Sequence, residues 1–151
     1  MDNNADEFLK ALFEIIPKSL DEIIRHNRDF AQLRITTDIE IMKLYAPLTQ
    51  VRVKEVINDW RFISLVLQYN DITLNQVHLL GDKDSNGLPR ITSIVRKIDL
   101  DRQLIYTNSG SLYQLGSPGS GEPNQSQLYL ICAAFNNWGI GKEFEILPIF
   151  Y

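Results

Sequence analysis

Asp82-Lys-Asp84-Ser-Asn86-Gly87 sets three side-chain oxygens at alternate positions ahead of a glycine, as in the opening half of a calcium loop. The second half of that motif fails: Ser93 stands where a bidentate glutamate is needed, and Pro89 where an aliphatic residue is usual. Asp, Asn and Gly are also the residues that turns demand, so the segment reads as a polar turn and no metal is assigned. His26 and His78 are the only histidines, too few for a multi-histidine transition-metal site. His78 alternates with Val77 and Leu79, which points it to the opposite strand face, where a hydrogen-bonded or solvent-facing imidazole is expected in preference to a general base. Asp99 with Asp101, and Glu143 with Glu145, have the composition of acid and base pairs, but polar turn and edge contexts explain them more simply. Gly116-Ser-Pro-Gly-Ser-Gly121 lacks the Lys-Ser/Thr that completes a phosphate cradle. No nucleophile elbow or cysteine-histidine signature occurs, so no catalytic residue and no cofactor is assigned. Arg90, Tyr106, Tyr113 and Trp138 are the side chains suited to anchoring a partner, with core packing as the competing role of the aromatics.

A chain of 151 residues, 44% hydrophobic, suffices for one compact domain spanning residues 1 to 151 without disulfide staples. Its net charge of -4 and the lack of a basic cluster argue against a nucleic-acid partner. Cys132 is the single cysteine and lies in the apolar run Leu128-Tyr-Leu-Ile-Cys-Ala-Ala-Phe135, so a buried, inert thiol and a reducing compartment are expected. Met1-Asp-Asn-Asn-Ala-Asp-Glu7 is acidic and precedes no secretory apolar core, and no run approaches bilayer-spanning length. These features predict a cytoplasmic protein that does not engage a membrane.

The elements that must position these groups read as α+β: N-terminal helices over about 1 to 70, then an antiparallel β-meander, a late buried helix and a closing strand within about 71 to 151. Phe8, Leu9, Leu12, Phe13 and Ile16 have helical spacing that Pro17 terminates. Ser19 and Glu22 have capping-box spacing for a second short helix through Ile23 and Ile24. Residues 35 to 45 alternate as a strand yet carry the capping pair Thr37 and Glu40, and the balance favours a helix. Thr49 is placed to cap a helix with Val53, Val56, Ile57 and Trp60 on one face, and the run from 61 to 69 extends it or forms a buried strand. Leu74 to Leu80 is a β-like run. The meander follows in Leu88 to Ile98, Gln103 to Thr107 and Ser111 to Leu115, joined by Asp99-Leu-Asp-Arg102 and Asn108-Ser-Gly-Ser111. Alternation groups Thr92, Ile94 and Ile98 on one face, Leu104 with Tyr106, and either Leu112 or Tyr113 with Leu115. Residues 116 to 127 form the loop expected to be most flexible, 128 to 135 a buried helix ending near Trp138-Gly139, and Phe144 to Tyr151 the closing strand.

Ile91-Thr-Ser-Ile-Val95, Ile98-Asp99, Ile105-Tyr-Thr107 and Ser109-Gly-Ser-Leu-Tyr-Gln-Leu-Gly116 together resemble a short β-meander domain of small uncharacterised bacterial and phage proteins. The resemblance covers about a fifth of the chain and implies a bacterial or mobile-element setting, where accessory proteins of this size bind other proteins. The expected function is a non-enzymatic protein-binding domain of adaptor, immunity or inhibitor type, using Arg90, Tyr106, Tyr113 and Trp138. Two alternatives stand beside it: a small-ligand protein or enzyme with a pocket near His78, Asp82 or Asp84, and a structural subunit of a homo-oligomer.

Overall fold

The computed structural model describes residues 6 to 7, 17 to 49 and 52 to 148. Six strands, β1 (Ala31–Ile35), β2 (Glu55–Tyr69), β3 (Ile72–Lys83), β4 (Pro89–Asp99), β5 (Leu104–Thr107) and β6 (Leu112–Leu115), lie side by side in chain order. Neighbours are antiparallel, and β6 returns to pair in parallel with the start of β2, Glu55 with Tyr113 and Ile57 with Leu115. Strands β2 to β6 therefore close into a ring, while β1 flanks the far half of β2. Helices α1 (Asp38–Lys43) and α2 (Gln125–Asn137) accompany the sheet.

Closure requires the 15-residue strand β2 to serve different neighbours at its two ends, and it does so by bending. Asp59 takes a left-handed φ of 48°, and the β2–β3 register shifts between Asn58 and Arg61. Opposite this bend, a Cβ on Gly81 would lie 2.4 Å from Ile57 Cγ2 and 2.7 Å from the Asn58 carbonyl, so only glycine lets β3 approach so closely.

Burial divides into two layers. Ile57, Phe62, Val77, Leu79, Val95, Ile98, Ile105, Tyr113 and Leu115 fill the ring. On the outer face, Leu33, Ile63, Leu65, Leu80 and Ile91 pack against Leu128, Ile131, Cys132 and Phe135 of α2, and Ile23 and Ile24 join the same cluster. Strand β2 is thus covered on both faces through its middle. That explains why its run reads continuously apolar and mimics helical spacing.

The meander and the late helix stand where the sequence puts them. Asn124 caps α2 in a reciprocal box with Gln127, and Trp138 ends it. Thr37 and Glu40 form the expected box at the start of α1, preceded by strand β1. The α+β character holds, but the helical N-terminal half does not. Residues 8 to 16 lie outside the described residues. Ser19 makes no side-chain cap, and only a 3-10 turn, Leu20–Glu22, forms there. The helix expected after Thr49 is instead strand β2, because its backbone groups find partners on β1, β3 and β6. Phe144 to Pro148, expected to open a closing strand, is turn and irregular chain that drops Phe144 and Ile146 into the outer core. A register shift between Val95 and Lys97 breaks the expected alternation on β4, so Val95 and Ile98 face the same interior. The glycine-rich segment expected to be most flexible is tied down: Gly119 N donates to the Trp60 carbonyl at 3.0 Å, and Arg61 grips the carbonyls of Ser120 and Gly121.

Glu40 joins α1 to three strands. Its carboxylate accepts from Arg34 at 2.6 and 3.1 Å on β1, from Thr37 N at 2.9 Å, from Ser64 Oγ at 3.5 Å on β2, and from the Asn75 amide on β3. Hydrogen bonding to Arg34, aided by Thr37 and opposed by burial, brings its pKa from 4.5 down to about 2. A folded-state pKa below the unfolded one makes this a contribution present above pH 4.5 and lost as pH falls towards 2. Glu40→Gln is expected to cost roughly 1 to 3 kcal/mol at neutral pH and to flatten the acid limb of stability. Urea midpoints of both proteins against pH test this, and parallel curves would refute it.

Candidate functional site

A cavity of about 620 Å³ opens where the outer face of β3 and β4 meets the C-terminal end of α2 and the β5–β6 turn. His78 lines it from the sheet. It stands opposite Ile63 on β2 and Ile94 on β4 and is 2% exposed. Its alternation with Val77 and Leu79 puts it on the helix side of the sheet, as its position in the strand requires, although it is neither solvent-facing nor fully hydrogen-bonded. Nδ1 lies 2.9 Å from the Thr92 carbonyl, which only accepts, so Nδ1 carries the proton in the neutral ring. Burial pushes its pKa below 6.5, against the opposing effect of that hydrogen bond. Nε2 is then a bare acceptor, buried and without a partner.

Trp138 stacks on the His78 ring, with centroids 5.1 Å apart and planes 26° apart, and is itself backed by Phe135 at 5.5 Å. The cap of α2 places it: the helix runs through Asn137, and Gly139 turns the chain with a φ of 85°. Across the cavity, Arg90 Nη2 donates to the Tyr113 hydroxyl at 3.1 Å, and Arg90 Nε is buried without a partner. The rim is polar and ordered. Ser93 and Ser109 share a 3.1 Å hydroxyl contact, and Asn108 N donates to the Ile94 carbonyl at 2.7 Å. Leu65, Leu67, Ile91 and Ile140 supply apolar wall.

Of the four residues expected to anchor a partner, Arg90, Tyr113 and Trp138 therefore converge on one cavity. Tyr106 does not: it pairs with Leu112 and packs beside Leu48 and Leu104 at another part of the ring. Of the alternative trio, His78 belongs to the cavity and the two aspartates do not. Asp82 accepts from Gln127 at 3.2 Å, and Asp84 accepts from Asn58 at 2.8 Å. Residues 84 to 87 form the β3–β4 turn, closed by Gly87 N to the Lys83 carbonyl at 2.7 Å. Among the described residues, no three His, Cys, Asp or Glu side chains gather closely enough to hold a metal. Ser93, Asn108, Ser109 and Phe135 were not marked by residue type, although the turn signal at 108 to 111 located two of them.

The remaining candidates have structural roles. Asp99 is buried and accepts from Leu48 N at 2.8 Å and Arg102 N at 3.1 Å; these amides hold its carboxyl below the usual range. Its neighbour Asp101 accepts from the Tyr45 hydroxyl, while Glu143 and Glu145 are exposed. Burial pushes the Cys132 thiol up to about 11, which leaves it protonated and unreactive. No helix among the described residues is long and apolar enough to cross a membrane. Comparison of the chain with protein-family models, with curated proteins and with solved structures gives no match.

Proposed function

We propose that this protein binds a small molecule in the cavity between β3, β4 and α2. The observation that carries this reading is that His78 and Arg90, each with a buried and unpartnered nitrogen (Nε2 and Nε), line the same cavity of ligand size, which has apolar walls and a polar rim. Buried polar atoms in native proteins are almost always hydrogen-bonded, so a pair of orphans lining one cavity is better explained by a ligand than by packing. Binding, not turnover, is proposed. Among the described residues the neutral imidazole has a hydrogen-bond partner only at Nδ1, and no hydroxyl or thiol nucleophile is hydrogen-bonded to it.

A protein partner is the second reading, supported by the exposed apolar side chains Ile35, Ile39 and Met42 on and beside α1. One experiment separates the two. Trp60 and Trp138 are the only tryptophans, so a Trp60→Phe background makes Trp138 the sole indole reporter. Screening a small-molecule library by Trp138 fluorescence is expected to give saturable hits that disappear when Ile94→Trp fills the cavity, read there by calorimetry. A library without hits, together with a stoichiometric protein that co-purifies with the wild type but not with an Ile39→Glu, Met42→Glu variant, would favour the partner reading.

A further inference from the structure

We infer that the cavity's ligand is a monocarboxylic acid with an apolar body, its carboxylate received by Arg90 and Tyr113. This deepens the small-molecule reading and rests on it. Among the described residues that line the cavity, Arg90 is the only ionised side chain, and none is Asp, Glu or Lys. Among the described residues Arg90 forms no ion pair; its one hydrogen bond goes to a neutral hydroxyl. A half-buried guanidinium whose charge is left unbalanced and whose buried Nε–H has no partner is costly, and a carboxylate is the anion whose geometry matches a guanidinium. The Tyr113 hydroxyl, while accepting from Arg90 Nη2, still has its own proton to donate, which supplies a second donor directed at the same anion.

The charge of the ligand is bounded as well. One cation balances one negative charge, and the helix end nearest the cavity is the C-terminus of α2, whose dipole disfavours a dianion such as a phosphate monoester. The rest of the ligand must suit Leu65, Leu67, Ile91 and the Trp138 ring, which calls for an alkyl or aryl body. His78 Nε2 can only accept, so a hydroxyl or N–H on that body completes the match.

The test is a calorimetric titration of the full chain with 4-hydroxyphenylacetate, 3-(4-hydroxyphenyl)propanoate, indole-3-acetate and 8-hydroxyoctanoate. Each is run beside its carboxamide, and the two phenols also beside the phosphate monoester that replaces the carboxylate. At least one acid is expected to bind roughly 10- to 100-fold more tightly than its amide, and Arg90→Gln is expected to remove that preference. Should Arg90→Gln fail to fold, Tyr113→Phe removes the second donor and is expected to weaken the acids by roughly three- to tenfold while sparing the amides. Amides or phosphate esters binding as tightly as the acids would overturn the carboxylate assignment and leave the cavity reading standing. Binding by none of the panel would overturn this inference, and hits from the Trp138 screen would then show whether the cavity reading survives without it.

Discussion

Phe135→Ala is expected to lower stability by about 3 to 5 kcal/mol, among the largest effects available to a single substitution in this chain. The ring is fully buried in the outer core, where α2 lies against β1 to β4, and shortening it to alanine leaves a void that the helix cannot close without moving. A second consequence follows from the same contact. Phe135 backs the Trp138 indole at 5.5 Å, so ligand binding at the cavity should weaken in the variant even where it remains folded. Urea denaturation gives the first quantity and Trp138 fluorescence the second. Phe135→Leu, which keeps most of the volume, should cost roughly 1 to 2 kcal/mol and preserve binding. A loss below about 1 kcal/mol for the alanine variant would mean that α2 is not seated against the sheet as described.

Arg61→Ala is expected to cost about 2 to 4 kcal/mol by a different route. Arg61 sits at the bend of β2, 7% exposed, and donates to the carbonyls of Gly121 (2.9 Å), Ser120 (2.9 Å) and Asp59 (3.1 Å) and to Gln127 Oε1 (3.0 Å). These acceptors belong to the segment from 116 to 127 and to the bend itself. Without the guanidinium, Ser120 and Gly121 lose the donors that hold their carbonyls, while residues 116 to 119 keep their bonds to Asn58 and Trp60, and the first turn of α2 loses a partner of its capping residue Gln127. The carboxylate of Asp59 is 40% exposed and stays solvated, so the cost comes mainly from the orphaned carbonyls and the amide. Arg61→Lys should rescue little, because an ammonium cannot span acceptors arranged for a planar fork. Limited proteolysis should cut the variant first within residues 120 to 124, while the wild type resists there. Equal cutting rates in the two proteins would show that the clamp does not order this segment.

Local signals carried the parts of the fold that local physics governs. The reciprocal cap of Thr37 with Glu40, the turns between β4, β5 and β6, and the apolar run that buries Cys132 all depend on residues a few positions apart, whereas the cap of Asn124 with Gln127 lies in a segment that reads as loop. Around the cavity, the same kind of signal put His78 on the face away from Val77 and Leu79, and of the four side chains named as anchors, Arg90, Tyr106, Tyr113 and Trp138, all but Tyr106 line the cavity. It read the start of β2, through Trp60, as a helix and left residues 61 to 69 open between helix and buried strand, because the middle of β2 is covered on both faces and shows no alternation, and it misread Phe144 to Pro148, whose apolar residues fill a gap in the core without backbone partners for a strand. The closing of the ring was also beyond it, because the parallel match of Glu55 to Ile57 with Tyr113 to Leu115 joins segments more than fifty residues apart with no shared local pattern.

The cavity depends on the same long-range events. Amino-acid types and short spacings determined the meander, the capped helices, the inert thiol and the absence of recognisable catalytic motifs in this protein. Only tertiary structure decided that β2 is a strand, that β6 returns to it, and that Trp138 at the end of α2 settles over His78 within reach of the cavity shared by Arg90 and Tyr113. The physical reason is that a strand gains its hydrogen bonds, and a binding site its convergence, from partners whose proximity is set by closing the chain and packing both faces of the sheet, neither of which is encoded in any single stretch of residues.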